Sequence, residues 1–171
     1  MDGFGGDSLT VTYSTVDAYT NWRQVDESLS LQSTHLIELL RLWESKIRNQ
    51  RLPKRDDFEA VELMKFGGRI VLIDVERQPL RFGYRLIGSH VTNALGRDST
   101  GEYLDQIYDP EFYERAIGTF KTNIDKRIPL RAYGNMVHAF KPYLRFETID
   151  IPLADDGETV NMILKGSEFS R

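Results

Sequence analysis

The sequence predicts an α+β fold, a five-stranded antiparallel sheet with helices inserted between the second and third strands and an amphipathic helix in front. Three observations predict it. A helical apolar stripe begins near residue 33, two extended runs lie close together between 69 and 87, and a helical middle gives way to period-two segments after residue 129. The order of elements needs no crossover unit, and no internal repeat is present.

The amphipathic helix spans 33–49. Leu36, Leu39, Leu40, Trp43 and Ile47 recur at helical spacing, Ser33 or Thr34 supplies the N-cap, and Arg41, Glu44, Lys46 and Arg48 take the wet face. Pro53 ends the segment, because the residue before proline avoids the helical region. Asp56 can cap a second short helix with Glu59 reaching back, which would bury Phe58, Val61, Leu63 and Met64. Residues 69–76 are apolar on both faces and rich in β-branched side chains, as suits a central strand. Gln78-Pro79 turns the chain into 81–87, where Phe82, Tyr84 and Leu86 share a face, so the first two strands form a hairpin.

Residues 89–95 make two helical turns, ended by Gly96 where a left-handed backbone is favoured. Ser99-Thr-Gly-Glu102 has capping-box spacing and should start another short helix. Asp109-Pro110-Glu111 is a stronger start: a capping acid, proline at the first helical position, then an acid near the positive dipole end. That helix carries Phe112, Ala116, Ile117, Phe120 and Ile124 on one side and ends near Arg127. Residues 130–136 and 137–140 are extended, with Gly134-Asn135 as a candidate join. In the long strand 143–153 the apolar phase slips from Leu144 and Phe146 to Ile149, Ile151 and Leu153, which places a β-bulge near Thr148. Asp155-Asp156-Gly157 turns into a last strand carrying Val160, Met162 and Leu164.

The formal charge of −4 on 171 residues sits entirely in the first thirty, where five acids meet only Arg23. Residues 1–31 therefore form an acidic, loosely ordered arm, and 32–171 form the domain. Tyr13, Val16, Tyr19 and Trp22 recur at steps of three, which allows a short docked helix, but a mobile tail is the simpler reading. The domain itself is charge-balanced, which argues against a nucleic-acid partner. There is no cysteine, which excludes disulfides, thiolate metal sites and thiol nucleophiles. No apolar run is long enough to span a bilayer, and the first residues lack a secretory signal, so a cytoplasmic protein without membrane contact is expected.

Few residues point to chemistry. His35, His90 and His138 have no metal-ligand spacing, and no metal is expected. No nucleophile elbow or phosphate-cradling loop occurs, and Asp56-Asp57 is an adjacent pair in an exposed loop, so catalytic residues and enzyme activity are not expected. Asp155-Asp156-Gly157 lacks the further acidic ligands of a calcium loop.

Several motifs together carry a resemblance. They are Leu39-Leu40 with Trp43, Leu52-Pro53-Lys54-Arg55-Asp56-Asp57-Phe58, Leu72-Ile73-Asp74-Val75 and Phe82-Gly83-Tyr84-Arg85-Leu86-Ile87-Gly88. Leu95-Gly96-Arg97-Asp98-Ser99-Thr100-Gly101 and Ile151-Pro152-Leu153 with Asp156-Gly157 and Val160 complete the set. In order and spacing, from Ser33 to Lys165, the chain resembles the PAS domains, in particular a stand-alone bacterial family common in alphaproteobacteria. It departs from that family at Phe58-Glu59-Ala60, where Phe-Asp-Pro is frequent, and at Glu147-Thr148, where an arginine is expected beside the acid.

The resemblance implies a PAS-like sensory fold whose sheet and helices enclose a small ligand of unspecified identity, with output to a protein partner or a homodimer. Tyr84, His90, Phe120, Tyr133 and His138 are the expected ligand contacts by strand and helix phase. Leu36, Leu39, Leu40, Trp43 and Ile47 can bury against their own sheet, or form a dimer or helix interface with Trp43 at its centre. The alternative is a ligand-free interaction adaptor with a filled core, since a core stripe and a pocket lining use the same residue types.

Overall fold

The computed structural model describes residues 22–137 and 141–171. Six strands form one antiparallel sheet: β1 (Arg23–Asp26), β2 (Ile70–Glu76), β3 (Arg81–Ile87), β4 (Leu130–Met136), β5 (Lys141–Leu153) and β6 (Met162–Ser170). Their spatial order is β1-β4-β5-β6-β2-β3. The helices are α1 (Thr34–Lys46), α2 (Ala60–Met64), α3 (Ser89–Leu95), α4 (Leu104–Ile107) and α5 (Pro110–Lys126). The α+β class and the insertion of helices between the second and third predicted strands hold.

Local chemistry explains most boundaries. The Ser33 side chain accepts from Leu36 N at the start of α1, and Asp109 does the same for Phe112 N at the start of α5. Gly96 ends α3 in the left-handed conformation, with φ 76°. The β5–β6 turn closes through Gly157, at φ 80°.

The sheet is covered on both faces. On one, Leu36, Leu39 and Trp43 of α1 bury against Ile149, Ile151, Leu153 and Leu164. Gly166 permits that approach, since a Cβ there would stand 2.7 Å from Leu39 Cδ2 and 2.8 Å from Leu36 Cδ2. On the other, Val91, Leu104, Ile117 and Phe120 of α3 to α5 pack on Val71, Ile73, Phe82 and Ile163.

Several expectations are corrected. The loosely ordered arm does not extend over 22–31: Arg23–Asp26 is an edge strand on β4, and Trp22 and Leu31 are buried. The proposed helical spacing of Tyr13, Val16 and Tyr19 lies outside the described residues. Gly134-Asn135 is not a join but the docking point for β1. The Trp22 carbonyl accepts from Asn135 N at 3.0 Å, and a Cβ on Gly134 would collide with that same oxygen. No bulge interrupts β5 at Thr148, whose pairing with β6 runs unbroken from Arg145 to Leu153. The apolar phase changes because the strand passes from one-sided to two-sided cover: every residue from Thr148 to Leu153 is buried.

The second short helix divides into a 3-10 turn (Arg55–Asp57) and α2, and it buries Phe58 but leaves Val61 and Met64 exposed. The helix expected from Ser99 to Glu102 starts instead at Leu104. Asp98 caps Thr100 N, and the Glu102 carboxylate is taken by Arg97 at 2.6 Å.

Candidate ligand cavity

Between the sheet and α3 to α5 lies a cavity of about 90 Å³. Its walls are mainly apolar: Val71 and Ile87 from the sheet, Val91 and Leu104 from the helices, and an aromatic side made by Trp22, Tyr108 and Phe112. Trp22 stacks on Phe112 at 5.0 Å between ring centroids, and Phe112 meets Tyr108 at 4.7 Å. Thr148 of β5 and Ser167 and Lys165 of β6 supply polar groups from the sheet, and Arg23 of β1 supplies another. Alternation along each strand puts these side chains inward, opposite the α1 face. The Tyr84 and Tyr108 hydroxyls lie 3.1 Å apart. Burial pushes the Tyr84 phenol far above its ordinary range, so it stays a hydrogen-bond donor at any physiological pH.

The electrostatics centre on Asp150, which has no exposed surface. Lys165 Nζ donates to its Oδ1 at 2.7 Å, while an Arg23 terminal nitrogen stands 3.7 Å from Oδ2. That same arginine nitrogen donates to Thr119 Oγ1 at 2.5 Å. Two basic side chains thus share one carboxylate. Arg23 Nε and Asp150 Oδ2 are buried without a hydrogen bond. Burial lowers the pKa of both Arg23 and Lys165, and the nearby Asp150 charge opposes the shift in each. Asn123 Nδ2 fixes the backbone here, donating to the carbonyls of Ile128 and Asp150 at 2.9 and 3.0 Å.

Of the expected ligand contacts, Tyr84 and Phe120 line the cavity. His90 stands beside it, its Nε2 3.2 Å from Glu168 Oε1 and its ring against Phe169. Tyr133 is outside, 39% exposed, with its ring under the Arg131 guanidinium; its strand phase points it away from Ala132 and Met136, which are buried. His138 lies outside the described residues. In the α1 stripe, Leu36, Leu39 and Trp43 are consumed by the protein's own core, while Leu40 and Ile47 are half-buried against it.

The sequence reading missed Trp22, Arg23, Tyr108, Asp150 and Lys165. A signal was present for two of them: Asp150 interrupts Ile149 and Ile151, and Lys165 follows Ile163 and Leu164. Charges inside apolar strands are costly unless paired, which marks both as partners or as parts of a site.

The strands that line the cavity also hold α1. Glu147 of β5 accepts from Gln32 N and Ser33 N at 2.9 and 2.8 Å, beside the Ser33 N-cap of α1. Glu168 of β6 accepts from Arg69 Nε at 2.7 Å and lies 3.2 Å from His35 Nδ1. Burial acts against its ionisation, but the Arg69 hydrogen bond and charge outweigh that and hold its carboxyl below the usual range. At the far end of the helix, Trp43 Nε1 donates to Pro152 O of β5 at 3.0 Å.

Among the described residues no group of acids and histidines is arranged to hold a metal ion. Among the same residues no helix is long and apolar enough to cross a membrane. A family model described as a PAS domain matches residues 31–166. No curated protein matches the chain.

Proposed function

The chain belongs to the PAS domain family, whose members are typically sensory and regulatory rather than catalytic, and on that premise we propose that it binds a small ligand in the cavity between the sheet and α3 to α5. The observation that carries this reading is a space of about 90 Å³ in which polar and charged side chains converge on otherwise apolar walls. A core built only for packing has no use for a largely buried arginine whose buried Nε donor is unsatisfied. The ligand state passes to a protein partner through β5 and β6, the strands that line the cavity on one face and hold α1 on the other. Stiff strands pinned to both ends of one helix supply a short mechanical route.

Native mass spectrometry of the intact chain, followed by thermal shift across a metabolite panel, tests this. A stoichiometric added mass or a ligand-induced rise in Tm is expected, and both are lost in Ala116→Leu, which fills the cavity. A clean apo mass with no ligand-induced shift would establish the ligand-free adaptor instead.

A further inference from the structure

We propose that the cavity is selective for a small monocarboxylate, whose anionic head binds Arg23 and Lys165 and whose short apolar end lies against Trp22, Tyr108 and Phe112. The proposal rests on the ligand-binding reading and deepens it by naming the ligand class.

Charge balance carries the argument. Among the described residues the cavity lining contains two basic side chains, Arg23 and Lys165, and no acid. Behind them stands one carboxylate, Asp150, bonded to Lys165 at 2.7 Å but 3.7 Å from Arg23. The site therefore holds one cation in excess, and a monoanion neutralises it where a dianion would overshoot. Buried charge without a partner is expensive, so a ligand that supplies the missing charge gains more here than in water.

Geometry agrees. Arg23 Nε is buried with no hydrogen-bond acceptor, while its terminal nitrogen is engaged with Thr119. A guanidinium edge with an unused N–H is the half of a fork that a carboxylate completes. Ser167, also in the lining, offers a hydroxyl donor to the same anion, whereas the Thr148 hydroxyl donates to the Ala132 carbonyl.

Size sets the rest. An apolar cavity of about 150 Å³ accepts benzene, so about 90 Å³ corresponds to roughly four heavy atoms, the range from acetate to propionate. Arg23 also lies before the stretch that the family model matches, so the excess charge is contributed by this chain's own N-terminal strand.

The test is titration calorimetry and thermal shift on the full chain with acetate, propionate and butyrate, set against 1-propanol, 1-butanol and n-propylamine. Acetate and propionate are expected to bind and raise Tm, and butyrate to bind more weakly because it exceeds the cavity. The alcohols are expected to bind about tenfold more weakly than propionate or worse, and the amine not to bind. Arg23→Gln leaves Lys165 and Asp150 as a balanced pair, so the fold persists, and it should weaken propionate binding by about tenfold or more. Arg23→Lys should recover part of that loss. Asp150→Asn removes the resident anion; propionate should bind it more tightly than the wild type and raise its Tm by more. Equal affinity for propionate and 1-propanol, with Arg23→Gln without effect, would overturn the carboxylate assignment and leave the cavity as a binding site. Silence from every probe also overturns it, and the broader reading then falls only if the native mass is clean and the metabolite panel is silent.

Discussion

Lys165 grips Asp150 at 2.7 Å across the β5–β6 pair, and Asp150 has no exposed surface. Register makes the contact possible, because Asp150 and Lys165 are directly paired partners in the antiparallel ladder. One strong bond of this kind organises the end of the cavity and leaves Arg23, the second cation, only partly satisfied.

Asp150→Asn is the sharpest stability test of that arrangement. It leaves two largely buried cations facing a neutral amide, and a loss of about 3–5 kcal/mol is expected from denaturant unfolding. Lys165→Met leaves Asp150 with Arg23 alone and should cost less. A change below about 1 kcal/mol for Asp150→Asn would mean the pair is effectively solvated.

Trp43 is a core residue of the domain, 5% exposed, with its indole N–H on the Pro152 carbonyl. Trp43→Ala should destabilise by about 3–5 kcal/mol. Trp43→Phe keeps an aromatic ring but orphans the buried carbonyl, and should cost about 1–3 kcal/mol. Urea unfolding measures both, and equal losses for the two variants would remove the hydrogen bond from the account.

Gly134→Ala tests how β1 is attached. The added Cβ would collide with the Trp22 carbonyl, so β1 should detach and take Trp22 and Arg23 from the cavity wall. Hydrogen exchange over 22–26 should accelerate, and Trp22 fluorescence, read in a Trp43→Phe background, should shift to the red. Unchanged exchange in this segment would contradict the close approach.

The fold was legible where local chemistry decides it. Asp109-Pro110 opened α5, Gly96 closed α3, and the paired runs at 70–87 formed their hairpin. Where tertiary context decides, the reading failed in identifiable ways. β1 reads Arg-Gln-Val-Asp, a short polar stretch with no apolar alternation, and only its pairing with β4 reveals it. The phase slip in β5 was visible, but a bulge and a change from one-sided to two-sided cover leave the same trace in sequence. Strand phase points Tyr84 to the face that lines the cavity, whereas Tyr133 lies on the far side of β4. Nothing in the sequence sets Arg23 apart from the acidic stretch around it, because its partner Asp150 lies more than a hundred residues away.

Acid should weaken the fold through two exposed turns. Hydrogen bonds from Ser28 and Ser30 lower the Asp26 carboxyl from 3.8 to about 2, and the backbone amides of Glu158 and Thr159 do the same for Asp156. A depressed folded-state pKa contributes stability that is complete above the unfolded value and is lost as pH falls from about 4 through about 2. NMR titration should place both carboxyls near 2, and Asp26→Asn with Asp156→Asn should flatten Tm against pH in that window. Ordinary titration near 3.8 would sink this prediction.

The most direct measurement is a methyl-labelled NMR titration with propionate. The account predicts intermolecular NOEs from the propionate methyl to Val91 and Leu104, which line the cavity, and shift changes that reach Leu36 and Leu39 of α1 through β5 and β6. NOEs confined to exposed side chains such as Val61 and Met64, or perturbations absent from Val91 and Leu104, would contradict it.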